Sequence, residues 1–170
     1  MNRVTIALAF AVCLAPHLFA QRMATTMKLT LVQNATGPLA FSNPALRLKG
    51  TIRPLPGDRL QIVVIALGDV ALEAEVRQFT LIAVDGATYE PIAVGGGADL
   101  IFPLDRLSLG QEMGQILPSD ASLAVKRVSR TSVTLEADPR ATLAFVYELP
   151  EGSAVRALRL PDGSELAVSR

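Results

Sequence analysis

The chain of 170 residues has one cysteine, one histidine and no tryptophan, and each scarcity removes a class of chemistry. Cys13 and His17 both fall in the first twenty residues, which read as a leader, so residues 21–170 hold neither type. A lone thiol cannot close a disulfide, and without Cys or His there is no thiolate or imidazole ligand for zinc or copper. Neither a Ser-His-Asp nor a Cys-His catalytic set can be assembled. Aromatics are also sparse. Beyond the leader only Phe41, Phe79, Tyr89, Phe102, Phe145 and Tyr147 remain, which disfavours recognition of sugars or nucleic acids by stacking. No charge sign dominates either: sixteen basic residues less Arg3 leave fifteen against sixteen acidic, a net of −1. That balance argues against nucleic acid or an anionic membrane surface as the main partner. Stability must come from core burial, and about 150 residues suffice for one domain that buries roughly 70% of its unfolded surface.

Residues 1–20 have the three parts of a secretory signal: Arg3 as the charged start, an apolar run over 4–15, and Pro16 before Leu18, Phe19 and Ala20. The run is too short to span a bilayer, which takes about 20 residues. Cleavage after Ala20 satisfies the small-residue rule at the last position, although Leu18 is bulkier than usual two places earlier. The expected mature protein is exported, periplasmic or extracellular, with a mobile start over 21–26 and no transmembrane anchor. A start of translation at Met23 or Met27 is the competing reading. Lipidation at Cys13 is disfavoured because Val12 stands where a small residue belongs.

From residue 27 onward the pattern is that of strands and turns. Met27, Leu29 and Leu31 alternate with Lys28, Thr30 and Val32; 39–42 reads as loop between Gly37-Pro38 and Asn43-Pro44; 46–54 is a second strand. Residues 60–67 (LQIVVIAL) form the strongest candidate for the middle of a sheet. Over 69–77, VALEAEVR alternates as a strand yet is rich in helix formers, and strand is the preferred reading, with a bulge or break at Gln78. Residues 79–91 (FTLIAVDGATYEP) read as the central β-hairpin, turned at Asp85-Gly86 by a two-residue type I′ turn. Residues 95–120 are too apolar for a solvated linker and include a candidate helix over 107–116. Strands follow at 123–128, 131–137 and 141–149, the last with Leu143, Phe145, Tyr147 and Leu149 on one face. A second Asp-Gly hairpin at Asp162-Gly163 joins 155–160 to 165–168. Short strands without βαβ alternation predict an all-β, single-domain antiparallel sandwich over 27–170.

F-x-L-x-x-x-D-G-x-x-Y-x-P over 79–91, a variable loop, and T-L-A-F-V-Y-E-L-P-E over 142–151 together carry a resemblance. An exported chain with these segments resembles the bacterial extracytoplasmic immunoglobulin-like domains of a family of unknown function, akin to secreted immunoprotective antigens. The likeness covers roughly 60–168 and rests on structural positions. It departs from the family in the continuous 69–77 segment and in the apolar 95–120 loop. It implies an immunoglobulin-like β-sandwich and an extracytoplasmic address, without implying a reaction.

Each candidate site has a plain structural counterpart. The 95–97 glycine triplet lacks the Lys-Ser/Thr and helix of a phosphate loop and reads as a connection. Lys126, Arg127 and Arg130 read as a solvated strand face. Tyr147 is expected to bury its ring and donate its hydroxyl to a backbone carbonyl, as tyrosines at sandwich corners do; Tyr89 reads as hairpin packing. Asp99 with Asp105, or Glu112 with Glu148, could serve a carboxylate-dependent hydrolase only if a cleft brought them together. No catalytic, cofactor or metal residue is assigned. The favoured function is a non-catalytic binding or structural module of the envelope that engages a protein through the 95–120 insertion or a sheet edge. Leu100, Ile101, Phe102, Leu104, Leu107 and Met113 are the candidate contacts, with packing of the insertion over the core as the structural counterpart. An assembly accessory or protease-inhibitor-like protein is the alternative.

Overall fold

The structure is a computed structural model that describes residues 27–43, 48–96, 102–103, 123–127 and 133–168. The leader at 1–20, the start at 21–26 and the candidate helix at 107–116 lie outside the described residues. Among the described residues there are fourteen strands, one 3-10 turn (Val76–Gln78) and no α-helix.

The strands, in chain order, are β1 (Lys28–Asn34), β2 (Leu39–Asn43), β3 (Leu48–Ile52), β4 (Asp58–Ala66), β5 (Leu72–Glu75), β6 (Thr80–Ala83), β7 (Thr88–Tyr89), β8 (Ala93–Gly96), β9 (Phe102–Pro103), β10 (Leu123–Arg127), β11 (Val133–Ala137), β12 (Thr142–Pro150), β13 (Val155–Arg159) and β14 (Glu165–Ala167). They form a five-stranded sheet β1-β4-β12-β8-β9, a four-stranded sheet β14-β13-β6-β7, a three-stranded sheet β10-β11-β5 and a β2-β3 hairpin. Every pairing is antiparallel. The described residues are all-β, as the turn-punctuated apolar runs predict.

Burial organises around β4 and β12, which pair over nine residues from Thr142 opposite Ala66 to Pro150 opposite Asp58. Strand β4 lies between β1 and β12, as its almost unbroken apolar run predicts for the middle of a sheet, with Val63 and Ile65 fully buried and Ile62 and Val64 half-buried on the other face. On β12 the period of two sends Leu143, Phe145, Tyr147 and Leu149 into the main core, all fully buried. The same core takes Val63, Ile65 and Val94 from the five-stranded sheet, Leu72, Ala74 and Leu135 from the three-stranded sheet, and Leu81 and Leu158 from the four-stranded one. It is therefore shared by all three sheets. On the opposite face of β12, Val146 joins Ile52, Leu60 and Ala93 in a smaller cluster against which Ala35 and Leu39 pack, so the β2-β3 hairpin contributes a roof to the outer side of the large sheet.

Phe79 stacks on Phe145 with ring centroids 4.6 Å apart, and Phe145 lies tilted at 6.5 Å from Tyr147. The buried Tyr147 hydroxyl donates to the Phe79 carbonyl at 3.0 Å, as expected of its type. That carbonyl is 68 positions upstream, so the bond ties β12 across the core to the chain break before β6 and is not the local bond of a sandwich corner.

Several local expectations are corrected. The Asp85-Gly86 hairpin is not central: β6 is an inner strand of the four-stranded sheet and β7 its edge, while β4 and β12 occupy the middle of the largest sheet. Its turn has three residues, with Ala83 N–H donating to Ala87 O and Gly86 N–H to Ala83 O. A type I′ turn needs positive φ at both central positions, yet only Gly86 has it (φ 90°), as in a three-residue loop that ends on a left-handed glycine, and the Asp85 carboxylate accepts the Ala87 N–H. The Asp162-Gly163 loop repeats this pattern. Gly163 N–H donates to Leu160 O, and Asp162 Oδ1 accepts the Ser164 N–H. Because β13 pairs with β6, the two Asp-Gly hairpins combine into one sheet.

Residues 39–43 are a strand rather than a loop, drawn into pairing with β3. In β1 a register shift between Leu29 and Leu31 moves the inward positions to Met27, Leu29 and Val32 and leaves Leu31 40% exposed. Of the 69–77 segment, Leu72–Glu75 form strand β5, and the break expected at Gln78 is the 3-10 turn Val76–Gln78 that ends there.

Candidate binding surfaces

Strand β8 grows from the covered interior outward: Val94 lies in the main core and Ala93 in the smaller cluster. The next strand, β9, is only Phe102–Pro103, with Phe102 opposite Val94 and Pro103 opposite Ala93. Proline removes a ladder donor and suits an edge position. Strand β9, which belongs to the 95–120 insertion, is thus the edge of the five-stranded sheet, and the next described strand, β10, lies in the three-stranded sheet. Of the six candidate contacts, the structure places Phe102 at this edge. Leu100, Ile101, Leu104, Leu107 and Met113 lie outside the described residues.

Gly95 and Gly96 belong to β8, paired with Ala144 and Leu143, which makes them ladder residues; Gly97 lies outside the described residues. Lys126 and Arg127 stand in β10 at an edge of the three-stranded sheet, and Arg130 lies outside the described residues. Of the carboxylate pairs considered, Asp99, Asp105 and Glu112 lie outside the described residues. Glu148 accepts the Leu55 N–H through Oε1 at 2.7 Å, a structural bond that holds the β3–β4 connection to β12. Burial pushes the Tyr147 phenol well above its ordinary value, so it remains protonated and committed to Phe79. Among the described residues no three His, Cys, Asp or Glu side chains are grouped to hold a metal, and no helix is long and apolar enough to cross a membrane.

A second surface emerges where three turns meet. The first turn has Asp58 N–H donating to Leu55 O at 2.9 Å with Gly57 at φ 86°; the second is Val84-Asp85-Gly86; the third has Ser153 N–H donating to Pro150 O at 3.2 Å with Gly152 at φ 88°. Positive φ is nearly free for glycine, which is why each turn carries one at that place. The turns are tied to one another: Glu151 N–H donates to Gly57 O at 2.9 Å and Val84 N–H to Ala154 O at 2.8 Å. Beneath them Arg59 donates through Nη1 to Gln61 Oε1 at 2.9 Å and through Nη2 to the Ser153 carbonyl, which ties the first and third turns together. This satisfies Gln61, the buried polar side chain among the described residues. On the outside stand Leu55, 45% exposed, and Val84, 55% exposed. The sequence signal was present in Pro-Leu-Pro-Gly-Asp, Val-Asp-Gly and Pro-Glu-Gly. What it lacked was the pairing of β12 with β4 and of β13 with β6 that brings the three together.

Fold and surfaces define an all-β protein of antiparallel sheets around a shared core. No family model matches the chain, and no curated protein or solved structure matches it either.

Proposed function

We propose that this chain is an exported, non-catalytic binding or structural module of the cell envelope. In this reading it is an immunoglobulin-like β-sandwich preceded by a signal peptide at 1–20, and it engages a protein partner through the 95–120 insertion. The observation that carries the proposal is the position of β9: this two-residue strand within the insertion forms the edge of the largest sheet and follows β8 in the chain before β10. A loop set on a sheet edge beside a rigid core can vary in sequence and contact another chain without disturbing the fold. The sandwich part of the reading is supported by a core that three antiparallel sheets share and by the buried face of β12.

The test is crosslinking in the native envelope fraction, comparing wild type with a variant carrying Phe102→Ser and Leu104→Ser. Loss of one specific partner from a variant whose circular dichroism and melting temperature match wild type is the expected result. A folded variant that keeps the same partner overturns the role of the insertion, and an unfolded one makes the segment a core plug and moves the search to the sheet edges.

A further inference from the structure

We infer that β1 is a dimerisation edge, which pairs antiparallel with β1 of a second copy of this chain about a twofold axis at Gln33. The pairing joins the five-stranded sheets of the two copies into one continuous sheet. It uses neither β9 nor the 95–120 insertion, so it stands independently of the partner proposed above.

The ladder to β4 fixes which backbone groups β1 leaves open. Ala35 N–H donates to Leu60 O at 2.9 Å, and in an antiparallel ladder such bonded pairs recur at every second residue. Leu31 opposite Val64 and Gln33 opposite Ile62 are therefore bonded pairs, whereas the N–H and C=O groups of Val32 and Asn34 point away from β4. Among the described residues no strand pairs with β1 on that side. Leu31, Gln33 and Asn34 are exposed and Val32 is half-buried, so the edge is open to solvent.

Sequence sets this edge apart from the others. Exposed strand edges are usually blocked by charge, by proline or by brevity. Strands β7 and β9 have two residues each, the latter with Pro103, and β14 has three with Glu165. Strand β5 carries Glu73 and Glu75, β10 carries Lys126 and Arg127, β3 carries Lys49, and the uncharged β2 lies against β9. From Leu29 to Ala35 there is neither a charged residue nor a proline. The register shift that could turn the edge away lies before Leu31, and the ladder is regular from there to Asn34. The strand is also ordered before any partner arrives: Leu29 and Val32 pack against the main core, and Thr30 Oγ1 donates to Val64 O at 3.1 Å. Such order lowers the entropy lost on association.

Electrostatic complementarity selects a second copy as the occupant. With Gln33 on the axis, the Val32 N–H of each copy meets the Asn34 carbonyl of the other, and the Asn34 N–H meets the Val32 carbonyl, donor on acceptor throughout. Leu31, 40% exposed, comes to lie opposite Ala35 of the second copy. No like charges face each other, and the two Gln33 amides meet across the axis as a polar pair. Because both copies use the same edge, the arrangement closes at two.

The test uses the chain as its host processes it, carrying Cys13→Ser so that no thiol remains whether or not the leader is removed. Sedimentation should show a reversible equilibrium between monomer and dimer. Gln33→Lys and Gln33→Glu, at an exposed position, each set like charges across the axis and should weaken dimerisation about threefold or more, and an equal mixture of the two should recover it. Asn34→Pro removes an outward donor, leaves the β4 ladder intact and should weaken dimerisation about tenfold. In the same background Gln33→Cys should give a disulfide-linked dimer under mild oxidation, since residues facing each other at a non-bonded antiparallel position have Cα atoms about 4.5 Å apart. Glu73→Cys, on an exposed position of β5, should not. The inference is overturned by a chain that stays monomeric up to about 1 mM, by assembly beyond the dimer, or by lysine and glutamate variants that dimerise as the parent does. A mixture that fails to recover, or equal crosslinking at the two cysteines, overturns it as well.

Discussion

Tyr147 shows how one atom can join two parts of a fold. Its ring is legible in the sequence as a core position on an alternating strand, but its hydroxyl has to find an acceptor inside a medium where an unpaired donor is costly. The Phe79 carbonyl, freed from any ladder by the 3-10 turn before it, supplies that acceptor at 3.0 Å. Tyr147→Phe leaves the carbonyl unsatisfied and should lower stability by about 1–3 kcal/mol, read from urea denaturation. A pH dependence accompanies it. Burial raises the folded phenol above its ordinary value of 10.0, so the unfolded chain releases this proton first. The resulting stabilisation is complete below about pH 10, falls as pH rises beyond it and is lost as the folded group itself titrates. Wild type should therefore lose stability more steeply than the Phe variant above pH 10; parallel slopes would remove Tyr147 as the cause. Arg140 presents the opposite case. It stands at φ 67° in the turn before β12, a region that costs a side chain about 1–2 kcal/mol, and its guanidinium meets Asp69 at 2.7 Å in the open. An exposed pair of this kind contributes little, so Arg140→Gly should hold or raise the melting temperature. A clear fall would mean that the Asp69 contact outweighs the backbone strain.

Among the elements, both Asp-Gly hairpins were readable as hairpins, and only the two-residue turn expected at Asp85-Gly86 was misread. Dipeptide chemistry announces a reversal of the chain, but whether the loop has two or three residues depends on where the flanking strands come into register. In both loops the Asp carboxylate captures the N–H two residues on, and only the glycine takes positive φ. Gly86→Ala and Gly163→Ala should each cost about 1 kcal/mol through that backbone demand alone, since the space beside both is open. Urea midpoints of the two variants would check this, and a much larger loss at one of them would point to packing that the open space denies. Strand β1 was misread for a related reason. Its alternation places Leu31 inward, and a single register irregularity before that residue turns it out while Val32 goes in. Bulges are decided by the partner strand, so local periodicity does not reveal them.

For the whole molecule, the main test is whether the aromatic centre holds the sheets together. Phe79 comes from the break between the three- and four-stranded sheets and Phe145 from the five-stranded sheet, and their rings stack at 4.6 Å with both residues fully buried. Phe79→Ala or Phe145→Ala should cost about 3–5 kcal/mol, and the two losses should not be additive in the double variant because they share one contact. Additive losses would place the rings in separate environments. Alternating and continuous apolar runs, read with the turn residues between them, were enough to determine an all-β antiparallel chain, the burial of β4 and β12, the inward face of Leu143, Phe145, Tyr147 and Leu149, and the break at Gln78. These depend on period and turn chemistry, which are local properties of the chain. Tertiary structure alone decided that the Asp85 hairpin sits in a smaller sheet, that residues 39–43 become a strand opposite β3, and that three distant turns meet at Leu55, Val84 and Glu151. Each of these is a pairing between segments far apart in sequence, chosen by which apolar faces can be buried together, and no single segment carries that information.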